Sequence, residues 1–382
     1  MRIGLVFNRF RSDGGTERIT LNAFNALASD DVEWIVLARN WGGQRQANVE
    51  FVRCNPFSIG RAWRLISFVR AVTRRLRSLQ IDLVQSQVHI PTADIYRADG
   101  GAHAEWLRQR RRIDRGVKGF LRAIGPYHRL KQRMERRMYA SGRLRAVICN
   151  SEMVRDDILR HYPKCQARFH VIDYGIELER FQRTPEREQA GAAVRTELGI
   201  DPAEPVFTYV GSGFERKGLA VAIRALARAP MHAYLLVVGR DSRMGSYKRL
   251  AQRLGVAGRV HFMGARADVR PFLWAADALV HPALYEAFGL VILEAMAAGI
   301  PVIASQRTGA GLVLVESTET GCLLDALDIA GFAWAMTAMA EREPEDRRAM
   351  SIACERAASR FTLERMRSNL LAFYASFQTA VG

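Results

Sequence analysis

Two glutamates eight residues apart, Glu286 and Glu294, stand in the stretch HPALYEAFGLVILEAMAAGIPVIAS (281–305). From Leu290 to Ala298 eight residues are apolar and Glu294 alone is charged. The stretch predicts a buried helix from about Phe288 to Ala298, closed by Gly299 and Pro301. A carboxylate in that setting is costly unless it is hydrogen-bonded, so Glu294 either caps a neighbouring loop or reaches a polar ligand. The N–H groups of Phe288, Gly289, Leu290 and Val291 at the helix start suit a phosphate, and Gly289 lets a ligand come close to the backbone. A carboxylate on either side of an anion site matches a nucleotide sugar, in which a sugar, two phosphates and a ribose follow in order. Glu286 would hold the sugar and Glu294 the ribose diol.

Four further groups have the chemistry for such a ligand. Arg216 and Lys217 follow a strand and the turn Gly211-Ser212-Gly213. They are either two cations that offset the charge on a departing nucleoside diphosphate or two solvated residues opening a helix. Gly14-Gly15 either brings backbone to the diphosphate or meets the steric needs of a first turn, and Glu17 and Arg18 behind it could contact acceptor or phosphate. Asp99 and His103 in ADGGAH either hydrogen-bond the sugar or acceptor, the histidine titrating near neutrality, or are a loop-stabilising aspartate and a surface histidine. No D-x-D triplet occurs. The cationic pair and the helix start then take the place of a divalent ion, and a metal-independent reaction is predicted.

The elements that must position these residues alternate along the chain. Apolar runs at 3–7, 34–38, 82–86 and 146–150, interleaved with helical stretches, predict a parallel sheet. A polar, loose stretch is expected at 182–191. Strands then recur at 206–211, 234–239, 259–264, 277–282 and 300–305, three of them ending in glycine. The reading is an α/β protein with two doubly wound, Rossmann-like domains facing across a cleft, residues 1–175 and 176–360. An amphipathic helix at 363–377, within a terminal segment 361–382, crosses back to the first domain.

Composition narrows the class. The 382 residues contain no apolar run long enough to cross a membrane, and the early charges in MRIGLVFNRF favour a first strand over a signal peptide. Five scattered cysteines without a CxxC pair suggest buried free thiols and no zinc site. The net charge of +17 is lopsided: residues 1–175 hold 32 Lys+Arg against 16 Asp+Glu, and the remainder 24 against 23. The first half is therefore expected to meet an anionic partner. Between His103 and Arg145 there are 14 basic and three acidic residues, with Trp106, Phe120, Leu121, Ile124, Tyr127 and Leu130 interleaved. This pattern fits an anionic membrane surface, a nucleic acid or a solvated helical face.

Glu286 and Glu294 match the E-x7-E motif, and the stretch around them resembles the donor-binding signature, of retaining glycosyltransferases of family 4 with the GT-B fold. The resemblance extends through GSGFERKGLAVAIRALA (211–227), VVGRD (237–241), VHFMGARADV (260–269) and GGTER (14–18). Through DIYRADGGAHAEWLRQR (94–110) the chain resembles lipopolysaccharide core glucosyltransferases that act on an inner-core heptose. The resemblance implies that the Arg216-Lys217 pair lies in the donor site and that Arg266 lies where the base is read by backbone atoms. It also implies retention of anomeric configuration, UDP-glucose as donor substrate with no cofactor, and lipopolysaccharide core as acceptor. An acceptor of that kind favours a peripheral enzyme on the cytoplasmic face of the inner membrane over one that binds nucleic acid. Where the glucosyltransferases often carry an aspartate two positions past Glu17, this chain has Ile19, which removes an acid–base candidate. The alternatives are a mannosyl- or N-acetylglucosaminyltransferase of the same family, or a UDP-sugar 2-epimerase of the same fold.

Overall fold

The structure is a computed structural model that describes residues 2–8, 10–11, 33–42, 49–114, 125–229, 232–315 and 317–378. Gly14, Gly15, Glu17, Arg18 and Ile19 lie outside the described residues, as do Phe120, Leu121 and Ile124. The chain divides into two compact units, Met1–Tyr174 with Glu364–Gly382, and Gly175–Leu363.

In the first unit seven strands form one parallel sheet: β1 (Arg2–Val6), β2 (Glu33–Ala38), β3 (Val49–Arg53), β4 (Leu83–Ser86), β5 (Ile95–Arg97), β6 (Ala146–Cys149) and β7 (Arg168–Val171). Their order is β3-β2-β1-β4-β5-β6-β7. The strand direction of travel reverses beside β1, as doubly wound sheets require. Val6, Ile35, Leu37, Phe68 and Val84 are the centre of one core cluster. The helix Leu363–Gln378 buries Met366, Leu370, Phe373, Tyr374 and Phe377 along one stripe. From Glu364 onward it belongs to this unit, where Tyr374 donates to Gln85 Oε1 at 2.5 Å and meets Trp34 edge to face.

The second unit has six parallel strands: β8 (Val206–Val210), β9 (Tyr234–Val238), β10 (Val260–Gly264), β11 (Ala278–His281), β12 (Val302–Ser305) and β13 (Gly321–Leu324). The order is β10-β9-β8-β11-β12-β13, so the topology switches between β8 and β11. Every residue of β8, β11 and β12 is buried. A parallel strand covered by helices on both faces must read as an almost unbroken apolar run, as VFTYV and VIAS do.

Two expectations change. The stretch read as loose forms a helix, Pro185–Glu197, with proline at its first position and Glu186 and Glu188 in its first turn. Its polar residues are the solvent face of a helix that buries only Gly191 and Val194. The helix expected from about Phe288 begins later, at Leu290, and ends at Ala297. Gly289, at φ 96°, is in the left-handed region, which a helix cannot include. Phe288 therefore belongs to the preceding loop, where its carbonyl accepts from the Ala310 amide at 2.8 Å.

Candidate active site

In doubly wound sheets a ligand sits beyond the carboxyl ends of the strands where the topology switches. In the second unit that point is the end of β8 and β11, and the loops leaving these strands carry the predicted residues. After β8 the chain turns through Gly211, Ser212 and Gly213. The Gly213 carbonyl accepts from the amides of Arg216 and Lys217 at 3.0 and 3.2 Å, and the buried Phe214 anchors the turn. Lys217 folds back over Gly211: a Cβ at that position would lie 2.6 Å from Lys217 Cδ. Gly218, at φ 76°, presses on the loop after β11, where an added Cβ would stand 1.9 Å from the Pro282 carbonyl oxygen. The Arg216 carbonyl accepts from the Leu284 amide at 2.9 Å. The two loops are thus joined along their backbones.

Glu286 is pinned from a third loop. Its amide donates to the Arg307 carbonyl at 2.9 Å, and its carbonyl accepts from the Gly309 amide at 3.1 Å, beyond β12. The side chain turns to the cationic pair: Arg216 Nη1 lies 2.7 Å from Glu286 Oε2 and Lys217 Nζ 3.4 Å from the same oxygen. Arg216 Nη1 also donates to the Tyr285 carbonyl at 3.1 Å. Among the described residues no protein donor reaches Oε1. Burial alone would push the Glu286 carboxyl up, but Lys217 and then Arg216 outweigh it and hold it at about 2. It is ionised throughout any working pH.

The helix Leu290–Ala297 follows at once. The amides of Leu290 and Val291 come before the first hydrogen bond of its opening turn, in which the Ile292 amide donates to the Gly289 carbonyl at 2.9 Å. Glu294 lies in the second turn of this helix, half-buried. At the edge of the unit, Arg266 Nε donates to the Met263 carbonyl at 3.0 Å and its guanidinium lies over the Phe272 ring. Its side chain braces its own loop.

Asp99 and His103 belong to the first unit, in and after the loop that leaves β5. The Asp99 carboxylate accepts from Arg97 Nε at 3.0 Å, Gln87 Nε2 at 2.8 Å and Tyr174 Oη at 2.5 Å. It ties the ends of neighbouring strands together, the arrangement of a loop-stabilising residue. His103 does not titrate near neutrality: burial, with Lys131, His128 and Arg61, pushes it down to about 3. Nor is it on the surface, since its ring is buried and stacks on His128. Its amide donates at 2.8 Å to Glu135, a fully buried carboxyl that also accepts from Tyr162 Oη at 2.7 Å. Glu135 in this way caps a helix, His103–Arg111, that has no cap of its own.

His89 is also held well below its ordinary value by burial, and His281, which ends β11, is held at about 3 by burial and Lys217. The three rings are neutral when folded, whereas an unfolded histidine titrates at 6.5. Their folded values lie below the unfolded one. The stability they contribute is therefore complete above pH 6.5 and is lost as the pH falls below it, down to about 3 for His103 and His281. Each histidine lowers stability by at most about 1.4 kcal/mol per pH unit in that window. Urea denaturation at pH 7 and pH 5 is expected to show earlier unfolding at pH 5, and a smaller difference in His103→Gln; equal midpoints for the parent protein would contradict this.

His281 is the residue that the sequence reading passed over. Its signal was a polar side chain closing the otherwise apolar strand ALVH at a switch point. Among the described residues no group of three or more His, Cys, Asp or Glu side chains is arranged to hold a metal ion, and no helix is long and apolar enough to cross a membrane.

Two family models match the chain, Glycosyltransferase Family 4 over residues 13–180 and Glycosyl transferases group 1 over residues 192–356. The lipopolysaccharide glucosyltransferase WaaG of Escherichia coli (strain K12) is 29% identical over 300 residues, 78% of either chain. The D-inositol 3-phosphate glycosyltransferase of Rhodococcus opacus (strain B4) is 35% identical over 240 residues, 60% of this chain and 52% of that protein. The chain thus spans about half the length of that relative. Among solved structures, the crystal structure of WaaG, a glycosyltransferase involved in lipopolysaccharide biosynthesis, has a similar fold, with a TM-score of 0.82 at 24% identity, covering 96% of this chain and 98% of that one.

Proposed function

From the premise that the chain belongs to glycosyltransferase family 4, has the GT-B fold and is a glycosyltransferase, we propose that it moves glucose or a related hexose from a UDP-sugar to the heptose of a lipopolysaccharide core, with retention and without a metal ion. The observation that carries this reading is the convergence of Glu286, Arg216 and Lys217 at the switch point of the second unit, with both cations on Glu286 Oε2. Breaking the sugar–diphosphate bond builds positive charge on the ring and negative charge on the phosphate. Arg216 and Lys217 offset the second charge, and the amides at Gly289, Leu290 and Val291 add to them. Glu286 positions the sugar and Glu294 the ribose diol. The acceptor hydroxyl attacks from the face of the leaving group, and the phosphate takes its proton. Likeness to the Escherichia coli lipopolysaccharide glucosyltransferase supports the acceptor. The higher identity to the D-inositol 3-phosphate enzyme favours a second reading, a family 4 transferase with another acceptor.

A lipid-linked acceptor places the enzyme on the cytoplasmic face of the inner membrane, against anionic lipid. The surface of the first unit supports this, with exposed apolar side chains beside the basic segment 103–145. Trp106, Tyr127 and Leu130 are half-buried, whereas Phe57, Ile59 and Trp63 are 82%, 73% and 62% exposed. The helix Pro126–Tyr139 exposes Arg129, Arg133, Arg136 and Arg137 on one face, and Arg61 lies over its Tyr127 ring. Apolar anchors beside a guanidinium face fit an anionic bilayer.

A panel of UDP-, GDP- and ADP-sugars tests the donor by protection against thermal unfolding in EDTA. A UDP-hexose at 100 times its Kd is expected to add about 2.7 kcal/mol. Transfer to heptose-bearing core in the same buffer tests the acceptor, and binding to phosphatidylglycerol vesicles that weakens with salt tests the membrane face. Protection by GDP- or ADP-sugars alone, or a strict magnesium requirement, would overturn the proposal.

A further inference from the structure

Beside the Glu286 carboxylate lies a buried polar side chain that the mechanism above does not use. His281 is completely buried, and among the described residues neither of its ring nitrogens meets a hydrogen-bond partner. A buried imidazole left unsatisfied is costly, and few native side chains are in that state. Its Nε2 stands 3.9 Å from Glu286 Oε2, beyond hydrogen-bond reach. That oxygen is already shared by Arg216 and Lys217. With two cations and one carboxylate facing it, the ring is neutral, so one nitrogen carries a proton and donates while the other only accepts.

The two cations on Glu286 Oε2 are those assigned to the diphosphate, and they cannot serve both anions fully. Once a diphosphate draws them away, the half-buried carboxylate needs another donor to stay ionised and aimed. We propose that His281 is a positioning residue whose Nε2–H takes over Glu286 Oε2 when the diphosphate engages Arg216 and Lys217, and so keeps Oε1 directed at the sugar. This rests on the reading of Glu286 as the group that holds the transferred sugar. Closing the gap needs a movement of about 1 Å. No covalent bond changes, and the proton stays on the histidine.

Steady-state kinetics on His281→Leu, His281→Gln and Glu286→Gln test the proposal, with UDP affinity measured alongside. His281→Leu is expected to lower kcat roughly 10- to 100-fold while the donor KM and UDP Kd stay within about threefold. His281→Gln, whose amide can donate from a similar position, is expected to recover most of the loss. A loss confined to thermal stability, or no rescue by glutamine, would assign His281 a packing role and overturn the inference. If Glu286→Gln is inactive while His281→Leu is fully active, only the inference fails; if Glu286→Gln is fully active, the reading of the site fails with it. Imidazole 15N spectra of the parent protein, which need no variant to fold, are expected to show the Nε2–H tautomer of His281 and a downfield shift of that proton on adding UDP. An Nδ1–H tautomer with no response to UDP would also overturn it.

Discussion

Glu286→Gln is expected to lower kcat by about 100- to 1000-fold while leaving UDP affinity unchanged or tighter. The amide keeps the volume and the backbone anchors to Arg307 and Gly309, so the loop stays in place. What disappears is the negative charge that Arg216 and Lys217 share at 2.7 and 3.4 Å. Without it the two cations are unopposed in a half-buried site, and a diphosphate meets less competition for them. The substrate-free protein should accordingly be less stable and gain more from UDP than the parent does. Turnover falls because an amide holds a sugar hydroxyl more weakly than a carboxylate and does nothing for the positive charge on the ring. The measurement is kcat beside UDP Kd. Equal loss of both would make Glu286 a binding residue, and no loss of kcat would remove it from the site.

Lys217→Met should be nearly as damaging, with kcat/KM about 100-fold lower, and it should also change the pH profile. Methionine retains an unbranched stem that can lie over Gly211 while the ammonium is lost. Lys217 is the largest of the influences that hold Glu286 down at about 2 against the upward push of burial. In the parent protein the carboxylate stays charged down to that value and imposes no limb on activity above it. With the ammonium gone, burial raises the carboxyl, and part of the population is protonated at the acid end of the assay range. Residual activity should then rise with pH where the parent shows no such dependence. Measuring kcat/KM between pH 5 and pH 9 checks this, and parallel profiles would show that Lys217 does not govern the charge on Glu286.

The strands legible in the sequence and those missed differ in where they lie. VFTYV, DALVHP and IPVIAS reach interior positions of the second sheet, where both faces are covered and nearly every residue must be apolar. Three of the four strands missed in the two large sheets, β3 (VEFVR), β7 (RFHV) and β13 (GCLL), are sheet edges, with one or more residues only half-buried. An edge mixes polar and apolar residues as a loop does. The fourth, β5 (IYR), is only three residues long. The helix Pro185–Glu197 was misread for a related reason: a helix that buries two residues shows little periodicity.

The parallel α/β class, the two carboxylates eight residues apart and the cations after a glycine turn are readable from the chain alone, because each is a local pattern of residue types. The closing of Arg216 and Lys217 on Glu286, with His281 beside it lacking a hydrogen-bond partner among the described residues, depends on how the chain packs. Those contacts join positions about 70 residues apart, and they form because β8 and β11 are neighbours in the sheet. Strand order is settled by the packing of whole helices and strands, and no short stretch of sequence carries it. The Asp99 network and the buried His103 follow the same rule, since their partners, Tyr174 and Glu135, come from distant parts of the chain.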